Sequence, residues 1–178
     1  MFRTVNDKIT SAETDVSKFY KKFSLNSEGS LINDKEYAID LIALVNSDLL
    51  NIDYLAETLP TSISGLLIKN DDEKFIMKTN ARESEQRQRF TIAHELGHYY
   101  YNTPWPTTND VQIEYRDGSD DPEEKKIDEF AATILMPKQK LIRYINENDN
   151  SINVPAMAKA FNVSPDSLYV RLDRLGII

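Results

Sequence analysis

The sequence predicts an α+β fold, mostly helical, with a small β-sheet packed on one long helix. Three observations carry this expectation. Apolar residues recur every three or four positions through most of the chain, as one face of a helix requires. Only SISGLLIK (62–69) and KFIMK (74–78) turn to β-rich runs. Helix boundaries punctuate the later segments, with Asp121-Pro122 and Ser164-Pro165 as starts and Gly176 as a stop. The 178 residues suffice for one domain with a real core. We expect a main domain over 31–178, closed by a helix-turn-helix-like pair at 154–178, and an N-terminal helical extension over 1–30.

Composition narrows the function. A net charge of −8 disfavours a nucleic-acid partner, because phosphate binding needs a basic surface. The absence of cysteine excludes disulfides and thiolate metal sites. MFRTVNDKITSAETD has no apolar core of a secretory signal, and AIDLIALV (38–45) is too short to span a bilayer and is interrupted by Asp40. A cytoplasmic protein with no membrane contact is expected.

The elements follow in order. Val16, Phe19, Tyr20 and Phe23 form an apolar stripe along a helix within 5–23. NSEGS (26–30) reads as a break. Asn33 or Asp34 caps a helix running to about Asn46, and 46–60 reads as a second short helix closed by Pro60. The two β-rich runs, joined by NDDE, form a hairpin. Asn80 and Glu83 match a capping box ahead of a long helix from about Arg82 to Tyr101. Residues 103–121 are mostly loop, with a short strand at VQIEY (111–115). Helices follow from Pro122 to about Leu135 and over 136–148, and the closing pair covers 153–161 and 164–176.

The long helix carries IAHELGHYY (92–100), which holds both histidines of the chain. Residues four apart share a helix face, so His94 and His98 can present two imidazoles to one zinc ion. Glu95 is too close in sequence to be a well-placed third ligand, but it can reach a water at the metal and act as base. Two histidines on a helix by chance is the bland alternative. The helical setting, with Ile92, Leu96 and Tyr99 as an apolar face, weighs against it. Ala93 and Gly97 are small, as close approach of a neighbouring element requires.

With no further histidine or cysteine, a third protein ligand must be a carboxylate, and DGSDDPEEKKIDEF (117–130) is the dense acidic run. In a helix from Pro122, one face collects Glu124, Ile127, Asp128, Ala131 and Leu135, while Lys125, Lys126, Glu129 and Thr133 fall on the solvated side. Two inward carboxylates are costly unless paired or metal-bound. The economical assignment puts Glu124 on zinc and Asp128 on the free ring N–H of a ligand histidine, with Glu123 as the second choice of ligand. Tyr101 shares the zinc face and is a candidate oxyanion or substrate contact, although tyrosine at helix spacing is more often packing.

RQRFTIAHELGHYY followed by EKKIDEFAATILMP resembles the ImmA/IrrE family of zinc metallopeptidases. The resemblance covers about residues 40–178, including the hairpin with SGLL and the closing FNVSPDSLYVRLDRLG. It implies one zinc ion per chain on His94, His98 and Glu124, Glu95 as base, and Asp128 orienting His94 as in thermolysin-like peptidases. It also implies strand addition of substrate near Phe75–Thr79. The implied substrate is a helix-turn-helix repressor, co-encoded with this chain and cut to derepress phage, mobile-element or stress genes. Some relatives are paired with an antitoxin-like partner, so a regulator that sequesters its partner is the alternative. Two departures stand out: Ile127 replaces the usual alanine, and Asn102 stands where many members carry another histidine. Residues 1–30 match nothing in the family pattern. The closing helix pair carries Lys159, Arg171 and Arg174 against Asp166 and Asp173, so it is expected to pack on the core rather than bind DNA.

Overall fold

A computed structural model describes residues 5–23, 37–70, 74–102, 111–115 and 121–178, with side chains from Ser11 onward except at 111–115. The fold is α+β and mostly helical. By its contacts the chain divides into two compact units, Met1–Ile39 with Glu129–Ile178, and Asp40–Asp128. No helix among the described residues is long and apolar enough to cross a membrane.

The first unit is helical. It contains α1 (Val5–Lys22), α5 (Lys138–Glu147), α6 (Val154–Phe161), α7 (Pro165–Arg174) and the part of α4 (Pro122–Leu135) from Glu129 onward. The expected α1 stripe is its core face: Val16, Phe19, Tyr20 and Phe23 are buried. Phe19 meets Phe130 edge-on, with centroids 5.7 Å apart. Asn153 and Ser164 cap α6 and α7 through backbone N–H groups at 156 and 167, the Ser164 cap as the sequence suggested.

Glu129 corrects an expectation. It is buried, not solvated, and lies beside Arg171 and in an ion pair with Arg174. Thr133, placed on the same solvated side, is also buried. The α4 stripe is wider than apolarity alone indicated, because α7 supplies cations that let a carboxylate go inside. Arg171 is 1% exposed, its Nε donates to the Met136 carbonyl, and burial lowers its pKa to about 10.

The second unit holds the sheet, whose strand order is β1-β3-β2-β4 over Ile52–Glu57, Phe75–Asn80, Ile63–Lys69 and Val111–Tyr115. The expected hairpin is the antiparallel β2–β3 pair, with Leu67 opposite Met77. Asn70 closes its turn by accepting the Lys74 N–H at 2.9 Å. The strand expected at 111–115 is β4, antiparallel to β2. Gly65, Leu67, Thr79, Met77 and Phe75 alternate onto one buried face. Helix α3 (Glu85–Tyr101) packs on that face: Phe75 meets the Tyr99 ring, and the Thr79 hydroxyl reaches Gln88.

Four local expectations change. The helix expected over 46–60 is instead a turn followed by β1, which pairs parallel with β3. Leu, Ala and Glu favour a helix there, but the open edge of β3 offers a ladder that local propensity cannot register. Of the helix expected from Asn33 or Asp34, the described part is only α2 (Leu41–Val45), capped by Asp40; the proposed caps lie outside the described residues. Ser84, not Asn80, caps α3. Asn80 instead accepts from the Arg82 and Leu59 N–H groups and donates to the carbonyls of Leu59, Pro60 and Ile63. Finally, β3 is paired on both sides, so strand addition near Phe75–Thr79 has no open edge to use.

Candidate metal centre

The local reason for the site is the helix. α3 is well formed from Glu85 through the histidine motif, and Thr91 to His98 are all buried. Its close seat on the sheet depends on Gly65 of β2. A Cβ at that position would lie 2.3 Å from Thr91 Cγ2 and 2.8 Å from the Lys78 carbonyl oxygen. The same Cβ would stand 3.6 Å from Oε1 of Glu95, so this fully buried carboxylate lies directly over β2. Arg87, about two turns before His94, ties α3 to the sheet by donating to the Ser64 hydroxyl at 3.1 Å. Ser64 in turn donates to Glu83 at 3.0 Å.

His94, His98 and Glu124 come together as a group able to hold a metal ion. Nε2 of His94 is 3.1 Å from Nε2 of His98 and 3.2 Å from Oε2 of Glu124. Nε2 of His98 is 3.6 Å from the same carboxylate oxygen. A tetrahedral ion with bonds of about 2.0–2.1 Å separates its ligand atoms by about 3.3–3.4 Å, which is the size of this triangle. Three acceptor atoms this close repel one another unless a proton or cation lies among them. The donor set, two imidazoles and one carboxylate, suits zinc and leaves one tetrahedral position for water or substrate.

Asp128, one helical turn beyond Glu124 on α4, lies 3.0 Å from Nδ1 of His94. Accepting the Nδ1–H there leaves the Nε2 lone pair directed at the trio. The hydrogen bond with His94 holds the Glu124 carboxyl below its usual range, against the opposing effect of burial. Burial, and then the charge of neighbouring His94, press the His98 pKa down to about 4. His98 is therefore neutral and available as a ligand near neutral pH.

Glu123 stands apart from the trio. It is exposed, and its N–H donates to Asp121 at 2.9 Å, within the cap that starts α4. The ring of Tyr101 carries the Lys126 ammonium 3.5 Å from its centroid, linking the end of α3 to the first turns of α4. Gly65, Arg87 and Lys126 carried no role in the sequence reading. A glycine inside a β-rich run was the available signal of a close backbone approach at Gly65.

No curated protein compared with the chain matches it. The Peptidase M78 family, described as the IrrE N-terminal-like domain, matches residues 51–173, a span that includes the sheet, α3 with its HELGH motif, and the whole of α4. With two thirds of its length matched and the metal-binding trio inside the match, the chain belongs to this family, a metallopeptidase-type domain of the ImmA/IrrE group.

Proposed function

We propose that the chain is a zinc-dependent endopeptidase that holds one ion on His94, His98 and Glu124 and uses Glu95 as general base. The observation that carries this reading is the ligand triangle of 3.1, 3.2 and 3.6 Å with Asp128 behind His94. A zinc ion held there supplies Lewis acidity toward the scissile carbonyl and brings the pKa of a water down to about 7. Glu95 takes the proton of the attacking water and returns it to the leaving amine nitrogen. Its complete burial over β2 shields that transfer from bulk solvent. Asp128 keeps His94 in one tautomer throughout.

Substrate is read as an extended strand added to β4. Among the described residues β4 pairs only with β2, and Gly65, beneath Glu95, is opposite Glu114 of β4. The family resemblance extends the reading to a co-encoded helix-turn-helix repressor as protein substrate, in the cytoplasm. Two findings support the expectation that α6 and α7 do not bind DNA: Arg171 is buried, and Arg174 is paired with Glu129.

The test is cleavage of the neighbouring gene's repressor by wild type and by Glu95→Gln. The variant is expected to fold, retain zinc and bind the repressor, yet cleave at least ~100-fold more slowly. Equal cleavage would remove Glu95 as base. Tight binding by both proteins with cleavage by neither would favour a regulator that sequesters its partner.

A further inference from the structure

The helical unit contains a cavity of about 350 Å3 that the metal centre does not use. Glu13, Val16 and Tyr20 of α1 form one wall, and Thr133, Pro137 and Lys138 form another. Its size falls in the ~300–1,000 Å3 range of small-molecule sites.

The walls present two opposite poles. At one, α5 begins with Pro137 at its N-cap and no side-chain cap bond, so its first-turn N–H groups face an uncapped end. Lys138 adds a cation at the first helical position. Thr133 is 3% exposed, lines the same space, and its Oγ1 has no hydrogen-bond partner. A buried hydroxyl in that state is costly unless a bound group completes it. Across the cavity, Glu13 contributes the opposite charge. Its Oε1 is buried without a hydrogen bond and is 3.8 Å from Nη2 of Arg171, too long to be more than an ion pair. Val16 and Pro137 give the space an apolar portion.

A simple anion such as phosphate would meet the Glu13 carboxylate unfavourably. A simple amine would leave Thr133 and the α5 terminus unanswered. We propose that the cavity binds a free α-amino acid, with its carboxylate at the α5 N-terminus and Thr133, its ammonium at Glu13, and its side chain against Val16 and Pro137.

Isothermal titration of the full chain, stripped of metal so that chelation cannot mimic binding, tests this. The probes are the common L-amino acids, with inorganic phosphate, acetate and ethylamine as controls. Saturable binding of at least one L-amino acid is expected, weakened by about tenfold or more in Thr133→Val and in Glu13→Gln, as loss of a charge-assisted hydrogen bond implies. Lys138→Met provides the same readout at a half-buried position if either variant fails to fold by circular dichroism. The proposal is overturned if no amino acid binds. It is also overturned if phosphate or acetate binds as tightly as the best amino acid, or if binding survives the folded variants unchanged.

Discussion

The Asp128 carboxylate lies 3.0 Å from Nδ1 of His94, on the side of the ring away from His98 and Glu124. A carboxylate in that place fixes the tautomer and raises the basicity of the other nitrogen. Asp128→Ala is therefore expected to weaken zinc binding by roughly 10–100-fold without emptying the site. Chelator competition measures this, and an unchanged affinity would exclude the orienting role. Because half of the Asp128 side chain is exposed, thermal stability of the metal-free chain should change little.

Glu124 and Glu123 are adjacent, but only Glu124 joins the histidines. Metal analysis of purified variants should find Glu124→Ala depleted of zinc and Glu123→Ala fully loaded. The reverse result would reassign the third ligand. Loss from both would point to a disrupted start of α4, which circular dichroism would register.

Gly65 sets the distance between α3 and β2. Gly65→Ala is expected to cost about 1–3 kcal/mol, the usual range for overpacking, because the new methyl meets both Thr91 and a backbone carbonyl. Adding Thr91→Ser removes the Cγ2 in conflict and should recover part of the loss, leaving the contact with the Lys78 carbonyl. Urea denaturation of the single and double variants provides the comparison. A Gly65→Ala chain as stable as wild type would contradict the close approach.

The metal-free chain should lose stability in mild acid. His98 has a folded-state pKa of about 4, below its ordinary 6.5. Between those values the unfolded chain takes up a proton that the folded chain refuses, so unfolding gains as pH falls. The contribution of His98 is complete above about pH 6.5 and gone once pH passes below about 4. The lowered pKa of Glu124 acts in the same direction, in the carboxylate range. Urea midpoints of the metal-stripped protein at pH 7 and pH 5 should separate more for wild type than for His98→Gln. Equal separations would show that His98 is not held neutral by the fold.

Much of the centre was legible along the chain because it depends on helix periodicity. His94 and His98 are one turn apart on α3, and Glu124 and Asp128 are one turn apart on α4, so each pair shares a face in any helix. Capping chemistry is equally local, which is why Asp121-Pro122 and Ser164-Pro165 marked true helix starts. What depended on distant partners was not legible. Ile52–Glu57 became a strand because β3 needed a neighbour, against its own helical propensity. Phe75–Thr79 lost its open edge to that same neighbour. Glu129 went inside because two arginines, more than 40 positions away, neutralise it there. The meeting of the two faces into a triangle of metal-sized edges is likewise tertiary. Periodicity says which side chains share a stripe, and only packing of α3 and α4 decides that the stripes converge on one point.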